Sequence, residues 1–295
     1  MSAGRIALIG GSGQLGTALR ERWRRRDVVA PAHADVAFES ADALAALLDA
    51  ARPDVLVNCS AFHNVDACER EPERAFAANA LAVDRAASLC AERRIAFATI
   101  STDYVFAGTL RRPYREDDAV GPLTAYGASK AAGEFLVRRH GAAHFVFRTS
   151  GVYGTVGTSN KGYTLIERVL AQAERGEPTR MTADMTFSPS YAPHVARAIA
   201  DAVDARAYGT HHVTNAGAVT WYAFVRTAFE KAGLGGAPLE AIAYAALGNP
   251  VRRPMYSALE NTTFAAAGIA PLPRWDAALD EFLAARAARL AGATA

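Results

Sequence analysis

The segment Arg5-Ile6-Ala7-Leu8-Ile9-Gly10-Gly11-Ser12-Gly13-Gln14-Leu15-Gly16 decides how the chain is read. A short apolar run ends at the first of three glycines, Gly10, Gly13 and Gly16, spaced as GxxGxxG, and an amphipathic stretch follows at once. Each glycine answers a physical demand: a tight turn at the strand end, close approach of backbone to a pyrophosphate, and close packing of helix on sheet. The helix N-terminus then turns its free N–H groups toward the anion. The segment therefore predicts a strand–turn–helix unit that cradles a dinucleotide.

Outward from this unit, β-rich apolar runs alternate with Ala-rich amphipathic stretches, the pattern of βαβ units building a parallel sheet. Strands are expected at Arg5–Gly10, Asp27–Pro31, Val55–Asn58, Ile95–Ser101 and His144–Arg148. Helices are expected at Gln14–Arg25, Ala41–Ala50, Glu73–Arg93 and Ala125–His140. Beyond Gly154 the alternation weakens. Helices at Tyr163–Arg175, Ala192–Asp204, Trp221–Ala232 and Arg274–Leu290, with strands at Thr179–Ala183 and His211–Asn215, complete the reading. The fold class is α/β: a doubly wound parallel sheet with a smaller C-terminal α/β substrate lobe. Residues 1–153 form the dinucleotide-binding domain and 154–295 mainly the substrate lobe, with about 179–204 returning to the first domain.

The 295 residues carry a formal net charge of only +2, and the one basic cluster, Arg22 with Arg24, Arg25 and Arg26, falls where a surface helix ends. It reads as a solvated helix face, so no nucleic-acid partner is expected. Cys59, Cys68 and Cys90 lie in apolar segments without metal-ligand spacing, as reduced thiols do. His211 and His212 are adjacent, point to opposite faces of a strand and are read as structural, so no metal is expected. There is no charged leader before an apolar stretch and no apolar run of the ~18 residues a membrane span needs, which predicts a cytoplasmic protein with no membrane partner.

Ligands of a doubly wound sheet bind at the carboxyl ends of its strands, and chemistry-bearing residues stand there. Tyr126-Gly127-Ala128-Ser129-Lys130 opens a helix after Pro122 and sets a phenol and an ammonium on one helix face. A cation there favours phenolate, so Lys130 is expected to lower the Tyr126 pKa toward a working acid/base range. The fourth strand ends in Ser101-Thr102-Asp103-Tyr104-Val105-Phe106, where a hydroxyl can hold a substrate carbonyl; Thr102 is the first choice and Ser101 the second. Asn79, inside a long helix, is a candidate to anchor a water that links Lys130 to solvent. The second strand, Val28-Val29-Ala30-Pro31, ends without the acid that selects a ribose 2′-hydroxyl, and His33 with nearby arginines can accept a 2′-phosphate, which favours NADPH or use of both NADPH and NADH. Asp35, just beyond, is also placed among the cofactor contacts.

These residues resemble the dTDP-4-dehydrorhamnose reductase family of the extended short-chain dehydrogenases, whose glycine loop also follows the GxxGxxG spacing. The likeness rests on Val57–Phe62 with Val65–Glu69, Ser101–Phe106, Pro122–Glu134 (PLTAYGASKAAGE), Phe147–Gly154 (FRTSGVYG), Phe187–Ala192 and Arg253–Leu259, in family order along most of the chain. The resemblance implies a Rossmann-like fold and a Thr102/Tyr126/Lys130 catalytic set. It implies cofactor contacts from Gly10, Gly13, Gln14, Leu15, Gly16, Ala61 and Phe62, with Asn79, Ser101, Tyr126 and Lys130 also on that side. Asp103 and Tyr104 are expected to face the sugar, and Arg253 and Ser257 to sit near the nucleotide-sugar end. Related 4,6-dehydratases carry Asp-Glu after the threonine; here Asp103-Tyr104 lacks the second acid, which favours reduction over dehydration.

The chain departs from the family at Gly151, where a tryptophan is usual, and at Asp184–Ser190, which replaces DQFGxPT. Both departures lie on the expected substrate side. The expected activity is NAD(P)H-dependent reduction of the 4-keto group of a nucleotide-linked deoxysugar, and a homodimer is compatible with the family. Two other readings are an epimerase that retains NAD and a non-catalytic NAD(P)-binding regulatory subunit; the intact Thr102/Tyr126/Lys130 set argues against the second.

Overall fold

The computed structural model describes residues 4–32, 34–141, 143–156 and 164–293. The opening apolar run forms β1 (Arg5–Ile9), and the glycine turn leads into α1 (Gln14–Arg22). Then come β2 (Asp27–Val29), α2 (Ala41–Ala51), β3 (Val55–Asn58), α3 (Val65–Arg70), α4 (Pro72–Phe76), α5 (Ala82–Glu92), β4 (Ala96–Thr102), α6 (Ala125–Arg138) and β5 (His144–Thr149). The remainder supplies β6 (Val152–Tyr153), α7 (Leu165–Glu174), β7 (Thr179–Thr182), β8 (Thr186–Phe187), β9 (Ser190–Tyr191), α8 (Ala192–Ala205), β10 (Gly209–His212), β11 (Val219–Thr220), α9 (Trp221–Lys231), β12 (Leu239–Ile242) and α10 (Trp275–Ala293).

The main sheet has six parallel strands in the order β2-β1-β3-β4-β5-β10. The chain winds outward from β1 to β2 and then reverses to β3. That reversal opens a crevice at the carboxyl ends of β1 and β3, where a doubly wound sheet takes its ligand.

Both faces of the sheet are covered. On one, Leu15, Leu19 and Trp23 from α1 and its end meet Val195, Ile199 and Val203 of α8 over Ile6, Leu8, Phe145 and Phe147. On the other, Leu44 and Leu48 of α2 pack with Val83, Ala86 and Ala87 of α5 over Ala7, Leu56 and Phe97. Strands buried on both faces need near-continuous apolar runs, which is how β1, β3 and β5 read. A separate core joins α7, α9 and α10 through Ile166, Leu170, Phe224, Phe229, Leu279 and Phe282. Beside it β7 pairs with β12, β8 with β11, and β6 with β9. Residues 179–182 thus lie with the outer core, while α8 and β10 complete the main sheet.

The structure differs from the sequence expectation at several ends. Trp23 stops α1 three residues early because its ring is fully buried against the sheet. Two of the arginines on either side of it bridge to α8, Arg22 to Asp201 at 3.2 Å and Arg26 to Asp204 at 2.6 Å, while Arg24 pairs with Glu21. The single helix expected at Glu73–Arg93 is interrupted by a π turn at Ala77–Leu81. The wider turn swings the Asn79 carbonyl against α6, so close that a Cβ on Gly133 would stand 2.3 Å from it. His211 bonds the Ala207 carbonyl and Thr263, and His212 the Tyr114 and Glu260 carbonyls, so both are structural as expected. Among the described residues no helix is long and apolar enough to cross a membrane, and no cluster of side chains has metal-ligand geometry.

Candidate active site

The glycine turn is built as its sequence requires. Gly10 adopts φ +75°, and a Cβ there would meet the Cys59 carbonyl carbon and the Ser60 nitrogen at 2.9 Å, so the turn lies against the end of β3. Gly13 caps α1 with no side-chain bond to its first N–H groups, and no acidic residue enters the first turn. The helix end is thereby left free for an anion. A Cβ on Gly16 would fall 2.1 Å from the Gly10 carbonyl oxygen. Leu15 turns inward to the core, and the buried Gln14 amide nitrogen has no hydrogen-bond partner, a group waiting for a ligand's oxygen.

Asn79 occupies the π turn and is 1% exposed. Its Oδ1 accepts from the Phe62 N–H at 3.0 Å, and its Nδ2 donates to the Phe62 carbonyl at 2.9 Å and to Ser129 Oγ at 3.0 Å. The side chain therefore clamps the loop after β3 that holds Ala61 and Phe62. Such π turns recur at functional sites because they re-aim one residue without ending the helix.

Thr102 ends β4, and α6 starts across from it. Thr124 Oγ1 accepts from the Gly127 N–H at 2.9 Å, and Glu69 of α3 caps the Ala125 N–H at 2.6 Å. Gly127 lets α6 approach closely: a Cβ there would fall 2.1 Å from the Tyr104 carbonyl oxygen. Tyr126 and Lys130 follow one turn apart. Burial pushes the Tyr126 phenol well above its usual range, and the strongest opposing influence is a hydrogen bond with the Thr102 hydroxyl. The expectation that Lys130 lowers the phenol is thus replaced by Thr102. Burial also brings Lys130 down to about 8, with Glu134 pulling it back up. Thr102, at the carboxyl end of β4, thus faces Tyr126 on α6, while Lys130, one turn further along α6, lies beside Glu134 and Cys59 after β3.

Ser101 points away from Thr102, toward α6, and donates to the buried Glu134 Oε1 at 2.5 Å, because successive strand residues face opposite sides. It is a structural partner of the Glu134–Arg148 pair, not a second candidate for the substrate carbonyl.

Asp103 is also placed differently from expectation. It is 5% exposed, and its Oδ1 accepts from Thr102 Oγ1 at 3.0 Å while its Oδ2 accepts from Ser150 Oγ at 2.8 Å and from Ser257 Oγ. The carboxylate faces inward, and Ser257 faces it. The cause is a strand-like bridge: Thr186 N donates to the Met255 carbonyl and Ser257 N to the Thr186 carbonyl, which lays residues 255–257 beside β8. Tyr104 is half-buried and stands edge-on to Tyr126 with centroids 6.1 Å apart. Burial lifts its phenol to about 12, with Arg253 holding it back. Arg253 donates to Asp66 at 2.9 Å, joining α3 to the outer lobe, and its Nε is buried without a partner. Asp66, Ser150 and Asn249 were not singled out from sequence; Asp66 and Ser150 sit inside quoted motifs, while Asn249 carries no local signal.

At the end of β2, Asp35 turns its carboxylate back to the Ala32 N–H at 3.3 Å, so it is engaged in its own loop. His33 lies outside the described residues. The Arg20 stem lies over Gly11: a Cβ added at Gly11 would sit 3.3 Å from Arg20 Cδ and from Ala30 Cβ.

The family model described as RmlD substrate binding domain matches residues 4–288. This chain belongs to that family. It is 34% identical over 288 residues to the dTDP-4-dehydrorhamnose reductase of Streptomyces griseus, covering 94% of this chain and 92% of the relative. It is 37% identical over 235 residues to the spore coat polysaccharide biosynthesis protein SpsK of Bacillus subtilis, covering 80% of each. Its fold matches a dTDP-4-dehydrorhamnose reductase structure from Bacillus anthracis, in complex with NADP, with TM-score 0.90, 27% identity, and coverage of 96% of this chain and 99% of that one.

Within this RmlD-family chain, Gly151 is fixed by its own backbone and by its aromatic neighbours. Gly151 has φ +49°, and a Cβ there would stand 2.4 Å from Phe187 Cε2. Phe187 is stacked on Trp221 with centroids 3.6 Å apart and planes at 10°. The aromatic bulk next to position 151 therefore comes from the Asp184–Ser190 segment and α9.

Proposed function

We propose that this RmlD-family chain reduces the 4-keto group of a nucleotide-linked deoxysugar, using NADPH, or NADH, as hydride source. The observation that carries this reading is the pairing of Thr102, at the carboxyl end of β4, with Tyr126 on α6, Lys130 standing one turn further along that helix, together with a glycine turn and helix end left open for a pyrophosphate. The names of the relatives, dTDP-4-dehydrorhamnose reductases, support the substrate class.

The nicotinamide supplies the hydride when bound. The chain's own residues do the rest. Gly10, Gly13 and Gly16 with the first turn of α1 hold the pyrophosphate, Leu15 backs that turn, and Gln14 offers its unpaired amide. The Ala61–Phe62 loop, clamped by Asn79, flanks the cofactor. Arg20 over Gly11 is the cation for a 2′-phosphate, which supports NADPH. Lys130, still cationic at neutral pH, positions the nicotinamide ribose. Tyr126 is kept protonated by burial and gives its proton to the carbonyl oxygen as negative charge develops there, while Thr102 aligns that oxygen. Tyr104 and Arg253 line the substrate side.

Phe76, Leu81 and Phe135 are exposed on α4, the π turn and α6, which supports a homodimer. The assigned compartment is the cytoplasm. The function is tested by mixing the protein with dTDP-, UDP- and GDP-linked 4-keto sugars and each reduced cofactor, following the nicotinamide absorbance. Consumption with at least one pair is expected; bound NAD with no net consumption points to an epimerase, and no consumption at all to a binding subunit.

A further inference from the structure

Asp103 is a buried carboxyl group with no assigned part in the reduction, yet it is bonded to a hydroxyl that has one. A threonine hydroxyl has a single hydrogen. In the structure that hydrogen goes to Asp103 Oδ1 at 3.0 Å, while Thr102 Oγ1 accepts from the Tyr104 N–H at 3.2 Å. A hydroxyl so engaged can accept from Tyr126 but cannot donate to a substrate oxygen. We infer that Asp103 is a positioning residue whose own charge decides whether Thr102 can donate a hydrogen bond to the substrate carbonyl. The inference rests on the reductase reading and deepens it.

The geometry makes the switch directional. Oδ2 of Asp103 already accepts two hydrogen bonds, from Ser150 and Ser257, so a proton added to the carboxyl goes to Oδ1. Protonated there, Asp103 donates to Thr102, and the Thr102 hydrogen must turn away from it, toward Tyr126 and the carbonyl. Ionised, Asp103 takes the hydrogen back. Protonation also removes a negative charge that works against release of the Tyr126 proton, since ionised Asp103 raises the phenol.

The change falls within an accessible pH range. Burial lifts the Asp103 carboxyl to about 6, against the bonds from Ser257, Ser150 and Thr102 that lower it. The titratable groups that face it are Tyr104 on its own turn and Tyr126 on α6. Lys130 on α6 is drawn to Glu134, and Arg253, on the segment that delivers Ser257, is held by Asp66 and Tyr104. Among the described residues no cation is bonded to the carboxyl, so its state is set by burial against three hydroxyls and its own backbone N–H.

The test is the pH profile of keto-sugar reduction from pH 5 to 8 for the wild type, Asp103→Asn and Ser257→Ala, with NADPH affinity as the check on folding. Wild-type kcat/KM is expected to fall as pH rises, approaching tenfold per pH unit above the Asp103 ionisation. In Asp103→Asn the amide oxygen takes the two serine bonds and the amide N–H replaces the proton on Oδ1. The falling limb should vanish, and the variant should outpace the wild type at pH 8. Ser257→Ala removes one bond that favours the carboxylate, so its limb should move to higher pH. If Asp103→Asn does not bind NADPH, the Ser257→Ala shift decides. An active enzyme with no falling limb, or with a limb that both variants leave in place, overturns this inference alone. A wild type that reduces no nucleotide-linked keto sugar at any pH overturns the proposed function and this inference with it.

Discussion

Asn79 and Ser129 are joined side chain to side chain at 3.0 Å, which ties the π turn to the helix that carries Tyr126 and Lys130. Because the same amide grips both backbone groups of Phe62, one residue sets the spacing between the loop after β3 and α6. Asn79→Ala leaves the Phe62 N–H without a partner and its carbonyl with only the weak bond from Cys68 Sγ at 3.3 Å, at about 1–3 kcal/mol for a buried group left unsatisfied. The expected result is a KM for NADPH raised about tenfold or more, the equivalent of ~1.4 kcal/mol, with a smaller change in kcat. Steady-state kinetics with varied cofactor measures the split.

The glycine turn has no room at Gly16. With a Cβ 2.1 Å from the Gly10 oxygen, Gly16→Ala forces α1 away from the turn that cradles the pyrophosphate. Its NADPH affinity should fall by about 100-fold, or ~2.7 kcal/mol. Gly236→Ala, where no atom lies within 4 Å of the added Cβ, is the control and should bind as the wild type does. Fluorescence titration with NADPH compares the two.

Glu134 and Arg148 form a buried pair, both about 2% exposed, bonded at 2.7 and 2.9 Å. Removing one partner of such a pair leaves an uncompensated charge and costs about 3–5 kcal/mol. Glu134→Gln should lose stability on that scale in a denaturant melt. Burial raises the Glu134 carboxyl, but Arg148, Ser101 and Arg138 outweigh it and leave it below the ordinary range. A depressed folded pKa means the pair's contribution is complete above the unfolded value of ~4.3 and is lost as pH falls through the folded value. Wild type and Glu134→Gln should therefore converge in stability in strong acid.

At Gly151 the backbone is left-handed and Phe187 occupies the side-chain space. Gly151→Ala must disturb the Phe187–Trp221 stack. The KM for the sugar should rise while NADPH affinity is unchanged, because the stack lies away from the glycine turn. Equal losses in both would contradict the placement of this region on the substrate side.

Sequence periodicity made β1, β3, β4, β5 and their helices legible, because strands buried on both faces are uniformly apolar and the helices between them are amphipathic. The two-residue strands β6, β8, β9 and β11 are too short to carry a period. The π turn was hidden for a different reason: it preserves helical composition and shows itself only through Asn79 and Gly133 meeting across two helices. Tyr126 and Lys130 were legible from their spacing, and Thr102 from its place at a strand end. The inward turn of Asp103 was not, since it depends on residues 255–257 lying beside Thr186, a pairing distant in sequence. The partner of Ser101 was not legible either, because Glu134 lies 33 residues further on and reaches it only once α6 packs on β4.

The account's central claim is that Tyr126 protonates the sugar carbonyl as hydride arrives. It is tested most directly by following NADPH absorbance in wild type and Tyr126→Phe with a nucleotide-linked 4-keto sugar, after matching their NADPH affinities. The account predicts equal cofactor binding and a kcat lowered by about 10²–10⁴-fold in the variant, the range for loss of a positioned proton donor. A Tyr126→Phe enzyme that turns over within a few-fold of the wild type would contradict it.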